Sequence, residues 1–283
     1  SNLKNNYDFT VALAGNPNVG KSTIFNSLTG MKQHTGNWAG KTIESSSGLR
    51  SYLNKNFLFV DLPGTYSIIS SSEEEEIARD FICFEKPDIT VVVVDATCLE
   101  RQLNLVFQTM ELCKNLIVCV NLLDEAKKKG ITINLNLLSK KLGVPVVGVI
   151  ARKKKTLIKL LDTIYKVALG KIKTTPLLIK YPLIVEESIN KVSAFLKKSY
   201  DLPEYLYRWI SLKILDDNES ILNSIQKYFL INCYQDELIT VRNDCISKLL
   251  TQSNSYFKDV VISKIIETAE NICQETCLFT QKS

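Results

Sequence analysis

One segment, Gly15–Ser22, has the residue types and spacing of a phosphate-binding loop, Gly-x-x-x-x-Gly-Lys-Ser. Its glycines let the backbone curl so that successive N–H groups face phosphate oxygens, and a following helix N-terminus adds favourable partial charge. We expect Lys21 to hold the β- and γ-phosphates and the Ser22 hydroxyl to bind Mg²⁺. A strand pattern precedes the segment and a helical pattern follows it, which favours this interpretation over a plain glycine-rich turn. The predicted phosphate-site residues are Gly15, Asn16, Pro17, Asn18, Val19, Gly20, Lys21, Ser22 and Thr23.

A second loop, Asp61–Gly64, follows another apolar run that predicts a strand. Asp61 is expected to reach Mg²⁺ through a water molecule, and the Gly64 N–H to meet the γ-phosphate. Asp-x-Pro-Gly is also a good turn sequence by itself. Its position directly after a strand favours the magnesium-side loop.

A third polar segment, Asn121–Asp124, ends a further apolar strand and indicates which base is bound. The Asp124 carboxylate can accept paired hydrogen bonds from guanine N1–H and its exocyclic amine, whereas adenine would leave a buried carboxylate unpaired at a cost of several kcal/mol. Guanine is therefore favoured over adenine. The alternative is that Asn121 or Asp124 is only a polar cap after the strand.

Alternation of short apolar runs with amphipathic stretches predicts an α/β domain around a mostly parallel sheet up to about residue 170. In such sheets ligands bind beyond the carboxyl ends of the strands, where the three loops lie. From Pro182 onward apolar residues recur at helical spacing, so residues 171–283 predict a smaller all-helical domain without a convincing strand. The predicted strands are Phe9–Ala14, Phe57–Asp61, Thr90–Asp95, Leu116–Asn121 and Val144–Val149.

The composition of the chain argues against several classes of function. The 283 residues are 45% hydrophobic and 23% charged, with net charge +5 spread along the chain, so nucleic acid is not the expected partner. No apolar run approaches the ~20 residues needed to span a bilayer. The eight cysteines are expected to be thiols, with Cys273 and Cys277 one helical turn apart for packing, and no cluster has metal-ligand spacing. The chain begins Ser-Asn rather than Met, so we expect a fragment of a longer protein.

The three motifs in this order resemble those of the translation-factor-like GTPases. Residues 34–44, 61–67 and 121–130 resemble more closely the two switch regions and the base-recognition segment of the FeoB family of ferrous iron transport proteins. The resemblance implies a Ras-like P-loop GTPase domain (G domain) at residues 1–170. It also implies a helical domain similar to a GDP-dissociation inhibitor at residues 171–283.

Further site residues are implied by this resemblance alone. Thr42 would be the switch threonine that closes on Mg²⁺ and the γ-phosphate in the GTP state, against the alternative of an ordinary strand threonine. Ala151 would cover the guanine through its backbone N–H, beside Arg152, in a loop where Ile150 replaces the usual serine.

The resemblance also implies a potassium-dependent mechanism. Thr65 stands where Ras-like enzymes place a catalytic glutamine, so hydrolysis is expected to be slow unless another positive charge enters the site. In the family that charge is K⁺, held by the asparagine at the position of Asn18 and by the backbone carbonyls of Gly36 and Trp38. The alternative role of Asn18 is a turn residue. The expected catalytic residues are Asn18, Lys21, Thr42 and Gly64.

Three features have simpler interpretations. The acidic run Ser70–Glu76 is better explained as a capping box with acidic residues at a helix start than as an iron site. His34 is expected to be exposed. Trp38 either faces solvent or anchors its loop.

The predicted function is GTP hydrolysis by the cytosolic part of a ferrous iron transporter. Its partners would be guanine nucleotide and the transmembrane part of the same full-length protein, at the cytoplasmic face of the cell membrane, with this fragment itself soluble. A homo-oligomer is compatible with the sequence. The alternatives are a soluble ribosome- or RNA-associated GTPase, disfavoured because no Gly-x-x-Gly loop or aromatic RNA platform follows residue 170, and a binding module that barely hydrolyses GTP.

Overall fold

The computed structural model describes residues 6–30, 33–69 and 72–280, which divide into two compact units. The first unit contains the described residues up to Ile68, Ser72–Leu177 and those from Ala269 onward. The second contains Ile69 and Leu178–Thr268. The strands are β1 (Phe9–Gly15), β2 (Gln33–Asn37), β3 (Glu44–Tyr52), β4 (Lys55–Asp61), β5 (Ile89–Asp95), β6 (Leu116–Asn121), β7 (Ile131–Ile133), β8 (Val146–Gly148) and β9 (Cys277–Phe279).

The helices surround the sheet in the first unit and make up the second. Those of the first unit are α1 (Lys21–Thr29), α2 (Glu73–Asp80), α3 (Leu99–Leu112), α4 (Leu123–Lys128), α5 (Leu135–Leu142) and α6 (Lys154–Ala168). A π-helical turn, Phe81–Glu85, extends α2, and a 3-10 turn, Ala96–Cys98, precedes α3. The later helices are α7 (Leu183–Ser199), α8 (Glu204–Asp216), α9 (Glu219–Phe229), α10 (Asp236–Ser253) and α11 (Phe257–Thr276).

Seven strands form one mixed sheet in the order β2-β3-β4-β1-β5-β6-β8. The pairs β4-β1, β1-β5, β5-β6 and β6-β8 are parallel, whereas β2 and β3 run antiparallel at one edge. The register places Leu13 beside Asp61 and Asp95 beside Asn121. The carboxyl ends of β1, β4 and β6 therefore meet at one edge of the sheet, and this confirms the predicted α/β fold.

Both faces of the central strands are buried, as expected for parallel strands covered by helices. Alternate residues of β5 belong to one core with α1 and α6, and the intervening Val92 and Val94 are also buried, on the side where α3 contacts the strand. The first core includes Val11, Leu13, Ile24, Leu28, Phe57, Val91, Val93, Leu160 and Ile164.

The second unit is helical, as predicted. Val185, Ile189, Val192 and Leu196 of α7 are buried at the spacing read from the sequence. Pro182 and Pro203 occupy the N-cap positions of α7 and α8, where a missing backbone N–H costs nothing. Within the described parts of the chain, no helix combines the length and apolarity required to cross a bilayer.

The compact units differ from the predicted ranges 1–170 and 171–283 in two places. Residues 171–177 stay with the first unit, where the N–H groups of Thr175 and Leu177 donate to Gly143 and Leu142 carbonyls at 2.9 and 2.8 Å. The chain from Ala269 returns to the first unit because β9 pairs antiparallel with β7. The expectation that no strand follows residue 170 is therefore wrong, and Cys277 lies in this strand rather than in a helix with Cys273.

Candidate functional site

The phosphate-binding loop connects the end of β1 to α1. Gly15 must lack a side chain because a Cβ there would lie 2.8 Å from the Val93 carbonyl oxygen of the neighbouring strand. Asn18 and Gly20 adopt left-handed φ values of 65° and 81°, which turn the chain into the helix that begins at Lys21. The loop is thus shaped by backbone conformations that glycine and asparagine tolerate.

Other residues of this loop divide into a buried and an exposed set. Val19 is buried, and so is Asn16, whose Oδ1 accepts no hydrogen bond from the part of the chain that the structure describes. Asn18 is exposed, Pro17 is half-buried, and the Ser22 and Thr23 side chains are exposed at the start of α1. The exposed hydroxyls and the unpaired amide oxygen are polar groups that a ligand in the loop can use.

Lys21 joins the phosphate loop to the Asp-x-x-Gly loop. Its side chain is buried, and its ammonium forms an ion pair with Asp61 and donates to the Leu62 carbonyl at 2.6 Å. Burial raises the pKa of the Asp61 carboxyl, although the nearby Lys21 ammonium acts in the opposite direction. The two predicted site residues are therefore brought together, with their charges compensated.

The Asp61–Gly64 segment packs directly on the phosphate loop. The Leu62 and Thr65 N–H groups donate to the Leu13 and Gly15 carbonyls, each at 3.0 Å. A Cβ on Gly64 would lie 3.2 Å from Pro17 Cα, so the two loops leave little room for a side chain there. Thr65 is only 4% exposed, a position from which its side chain is poorly placed to orient a water molecule.

Asn121 and Asp124 lie at the carboxyl end of β6 and in the first turn of α4. The buried Asn121 amide donates from Nδ2 to the Val19 carbonyl at 2.9 Å, which ties the base-recognition segment to the phosphate loop. Leu122, at φ 63°, turns the chain so that Asp124 enters α4. Asp124 Oδ2 lies 3.4 Å from Arg152 Nη2, so the structure brings the two predicted base-side residues together.

The loop that carries Ala151 and Arg152 is held by a residue that sequence reasoning missed. The Thr156 hydroxyl accepts a hydrogen bond from Ile150 N at 3.0 Å and lies within hydrogen-bond distance of the Ile150 and Lys153 carbonyls. A hydroxyl three residues after Lys153, at the start of α6, was the available signal. Thr156 thus holds the backbone on both sides of Ala151 and Arg152.

The predicted first switch region forms a hairpin in this structure. Gly36 lies in β2 opposite Ser45 of β3, and Thr42 is exposed in the connecting turn. In that turn Trp38 N donates to Ile43 O at 2.9 Å, and Trp38 O accepts from Lys41 N at 2.8 Å. The segment's backbone is therefore paired with β3 and within its own turn.

Contacts with the α2 region hold this hairpin turn. The Trp38 ring meets Phe81 of the π-helical turn edge-on, with centroids 5.7 Å apart, which favours the anchoring role over a solvent-facing one. Lys41 Nζ lies 3.9 Å from Glu73 Oε1. His34 is exposed, as predicted.

The acidic run begins a helix, as predicted, and Ser72 is its N-cap residue. The Ser72 hydroxyl accepts from Glu75 N at 3.2 Å, and Glu73–Glu76 occupy the first turn of α2. Ser70 and Ser71 lie outside the described residues. Within the described chain, no group of three or more His, Cys, Asp or Glu side chains is arranged to hold a metal ion.

Three nucleotide motifs therefore converge on one edge of a Ras-like sheet: a phosphate loop after β1, an Asp-x-x-Gly loop after β4 and an Asn-x-x-Asp segment after β6. This combination defines a GTP-binding protein of the P-loop class. The family model described as ferrous iron transport protein B matches residues 9–164, and the FeoB cytosolic helical domain model matches residues 181–277. The chain belongs to the FeoB family.

Individual relatives agree with this assignment. The Fe(2+) transporter FeoB of Methanocaldococcus jannaschii is 42% identical over 85% of this chain and 35% of its own length. A Porphyromonas gingivalis FeoA/FeoB fusion protein is 36% identical over 77% of this chain and 26% of its own length. The chain thus spans about a third or less of these relatives.

Solved structures match nearly the whole chain. The cytosolic domain of the T. maritima FeoB iron transporter in a GDP form is 32% identical, with a TM-score of 0.79 over 95% of this chain and 99% of that one. A GDP-bound point mutant of the S. thermophilus FeoB G-domain is 29% identical, with a TM-score of 0.85 over 96% and 100%.

Proposed function

We propose that this chain binds GTP together with Mg²⁺ and hydrolyses it to GDP and phosphate. The observation that carries the proposal is the position of Lys21. Its buried ammonium lies between the Asp61 carboxylate and the Leu62 carbonyl, where the phosphate loop meets the Asp-x-x-Gly loop. An ammonium held by a carboxylate at the edge of a phosphate loop is suited to exchange that partner for a nucleotide phosphate.

Hydrolysis requires stabilisation of charge on the transferred phosphoryl group as water attacks in line. Lys21 and the backbone N–H groups of the loop would bind the β- and γ-phosphate oxygens, and the Gly64 N–H would meet the γ-phosphate. A Cβ added to Gly64 would lie 3.2 Å from Pro17 Cα, so the two loops are already close together, which supports this role. Thr65, which is buried, supplies no substitute for a water-orienting glutamine.

The oxygen groups available for Mg²⁺ are those that this hard cation prefers. They are the exposed Ser22 hydroxyl, the Asp61 carboxylate acting through water, and the Thr42 hydroxyl after a switch movement. When bound, Mg²⁺ would neutralise charge on the β- and γ-phosphate oxygens.

Selection of guanine rests on Asp124. Its carboxylate would accept from guanine N1–H and the exocyclic amine, while the Ala151 N–H covers the base. The Arg152 guanidinium lies 3.4 Å from the Asp124 carboxylate, on the side where the base would bind. Both groups are partly exposed, so this pair adds little to stability.

Potassium would supply the missing positive charge. The exposed Asn18 side chain and the carbonyls of Gly36 and Trp38 are neutral oxygen ligands suited to an alkali cation, which stabilises transition-state charge as an arginine finger does. In this structure the Trp38 carbonyl accepts from Lys41 N. We therefore infer that the hairpin must rearrange over the nucleotide before all three oxygens can meet.

The whole protein is proposed to be a ferrous iron transporter, because the relatives of greater length carry that name. The output of the G domain would be a nucleotide-dependent switch movement that reaches the helical unit and a membrane part of the same protein. Self-association in a homo-oligomer is compatible with this arrangement.

Multiple-turnover phosphate release in KCl and in NaCl at equal ionic strength tests the proposal. Turnover should rise several-fold or more in KCl, and Asn18→Ala should lose that difference while still binding GDP. Asn54→Ala is the matched control, because Asn54 is also exposed with a left-handed φ, 67° against 65° for Asn18. Absence of repeated turnover in both salts would contradict hydrolysis, whereas equal rates would contradict only the potassium mechanism.

A further inference from the structure

A cavity of about 370 Å³ lies in the first unit, and none of its lining residues belongs to the loops described above. Its walls come from the 3-10 turn before α3, the start of α3, Ile131 of β7, the end of α11, and β9. The lining includes Cys98, Glu100, Arg101, Cys273, Cys277 and Phe279. Because one water occupies about 30 Å³ of liquid, the cavity can admit a small molecule.

Two of the three cavity thiols, those of Cys273 and Cys277, are four residues apart in the chain and line the cavity together. Cys273 lies in the last turn of α11, and Cys277 follows the helix as the first residue of β9. Thr276 Oγ1 lies 3.8 Å from Cys277 Sγ. Positions four apart at a helix end have Cα atoms about 6 Å apart, within the range that a disulfide spans.

The pKa values of the two thiols shift in opposite directions. Interaction with the Cys273 thiol lowers the pKa of the Cys277 thiol, against the effect of burial, and the Thr276 hydroxyl lowers it further. The same interaction, together with burial, raises the pKa of Cys273. The shift favours the thiolate form of Cys277, and the thiolate is the nucleophilic form.

Cys83, Cys119 and Cys233 differ from Cys277 both in the pKa of the thiol and in access to the cavity. Burial raises the pKa of Cys83 and of Cys119 to about 12 and that of Cys233 to about 11, and none of these three lines the cavity. Cys98 does line it, and its sulfur lies 3.2 Å from Gln102 Nε2. Cavity access, a thiolate and an adjacent thiol thus coincide at Cys273 and Cys277.

We propose that Cys277 and Cys273 form a redox-active dithiol that a small hydroperoxide, entering the cavity, converts to an intramolecular disulfide. The Cys277 sulfur attacks the peroxide oxygen, the O–O bond breaks, and an alcohol or water leaves after taking up a proton. Cys277 becomes a sulfenic acid and the peroxide is reduced by two electrons. The Cys273 sulfur then attacks the Cys277 sulfur, the S–O bond breaks, and hydroxide leaves with the Cys273 proton as water.

Peptide mapping of the folded chain tests this directly. Trypsin leaves both cysteines on one peptide, residues 265–282, because Lys264 and Lys282 bracket a stretch without Lys or Arg. After limited hydrogen peroxide and denaturing alkylation, this peptide should appear unalkylated and lighter by two hydrogen atoms. It should form at least about ten-fold faster than Cys83 or Cys119 is oxidised, and a thiol reductant should reverse it.

Single substitutions separate the two roles, with folding checked by circular dichroism. Cys273→Ser should stop the reaction at a Cys277 sulfenic acid that a dimedone reagent traps, and Cys277→Ser should protect Cys273. Cys98→Ser is the matched control, because it lines the same cavity yet should leave disulfide formation unchanged. Full alkylation of both cysteines after peroxide, or unchanged oxidation of Cys273 in Cys277→Ser, would overturn the proposal.

Discussion

Gly20→Ala and Asn121→Ala should be strongly non-additive in their effects on stability. The Asn121 amide donates to the Val19 carbonyl at 2.9 Å, and a Cβ on Gly20 would lie 2.4 Å from the same Nδ2. The alanine side chain can therefore be accommodated only if the amide leaves its hydrogen bond. This contact ties the phosphate loop to the base-recognition segment, so its energy bears on how rigidly the site is preformed.

The magnitude follows from two separate costs. Loss of the buried hydrogen bond costs about 1–3 kcal/mol, and a side chain at the left-handed φ of residue 20 costs about 1–2 kcal/mol more. Gly20→Ala should thus cost about 2–5 kcal/mol, and Asn121→Ala about 1–3 kcal/mol. In the double variant the hydrogen bond is lost only once. The double change should therefore cost about 1–3 kcal/mol less than the sum.

Urea unfolding without nucleotide measures this. The chain has two tryptophans, so a Trp209→Phe background leaves Trp38, packed on Phe81, as the fluorescence probe of the first unit. Gly170→Ala supplies the control, because φ there is 73° but a Cβ would meet nothing within 4 Å. Additivity of the two substitutions within about 0.5 kcal/mol would refute the proposed contact.

Three further predictions concern binding and acid stability. Lys21→Ala should weaken GTP and GDP binding, and Ser22→Ala should weaken only the magnesium-dependent part; unchanged dissociation constants in titrations with Mg²⁺ would contradict the site. Asp124→Asn should lose GTP affinity and gain relative affinity for xanthosine triphosphate, and equal GTP binding by both proteins would contradict base selection. Two opposing effects act on the pKa of the Glu186 carboxyl. Burial raises it, but hydrogen bonds from Arg208 and a backbone N–H outweigh burial, so the pKa is lowered. The stabilisation that the ionised Glu186 carboxylate gives the fold is therefore present above pH ~4.5, and it is lost as pH falls through the lowered pKa. Glu186→Gln should cost about 2 kcal/mol at neutral pH and flatten the acid limb of unfolding; an unchanged acid limb would argue against it.

The central strands were predictable because their continuous apolar sequences indicate that both faces are buried. The apolar runs of β1, β5 and β6 have no other stable location in an α/β unit, and all five predicted strands occur with ends shifted by at most two residues. β3 gave no such signal. The sequence of β3, Glu-Ser-Ser-Ser-Gly-Leu-Arg-Ser-Tyr, is mostly polar. Gly48 is its one buried residue, because β3 lies next to the edge strand β2 and not at the centre of the sheet.

Long-range pairings were beyond sequence reasoning for a different reason. β7 and β9 are three residues each and pair across nearly 150 positions, so neither has a detectable period. The cavity that Cys277 lines together with Ile131 of β7 depends on that pairing. Likewise, the contact of Arg152 with Asp124 depends on how β6 and β8 are aligned, although each residue was assigned to the base site from motif position.

The Lys21–Asp61 pair explains how residues 40 positions apart can act as one unit. Lys21 is buried and Asp61 is half-buried, so each charge would be costly without the other. Burial raises the pKa of Asp61 even though the Lys21 ammonium acts in the opposite direction. A nucleotide phosphate would offer Lys21 a more highly charged partner, and Asp61 would then be a half-buried carboxylate without its cation. A divalent cation would relieve that charge. Phosphate and Mg²⁺ should therefore bind with positive cooperativity, because each removes the desolvation cost that the other creates at the pair.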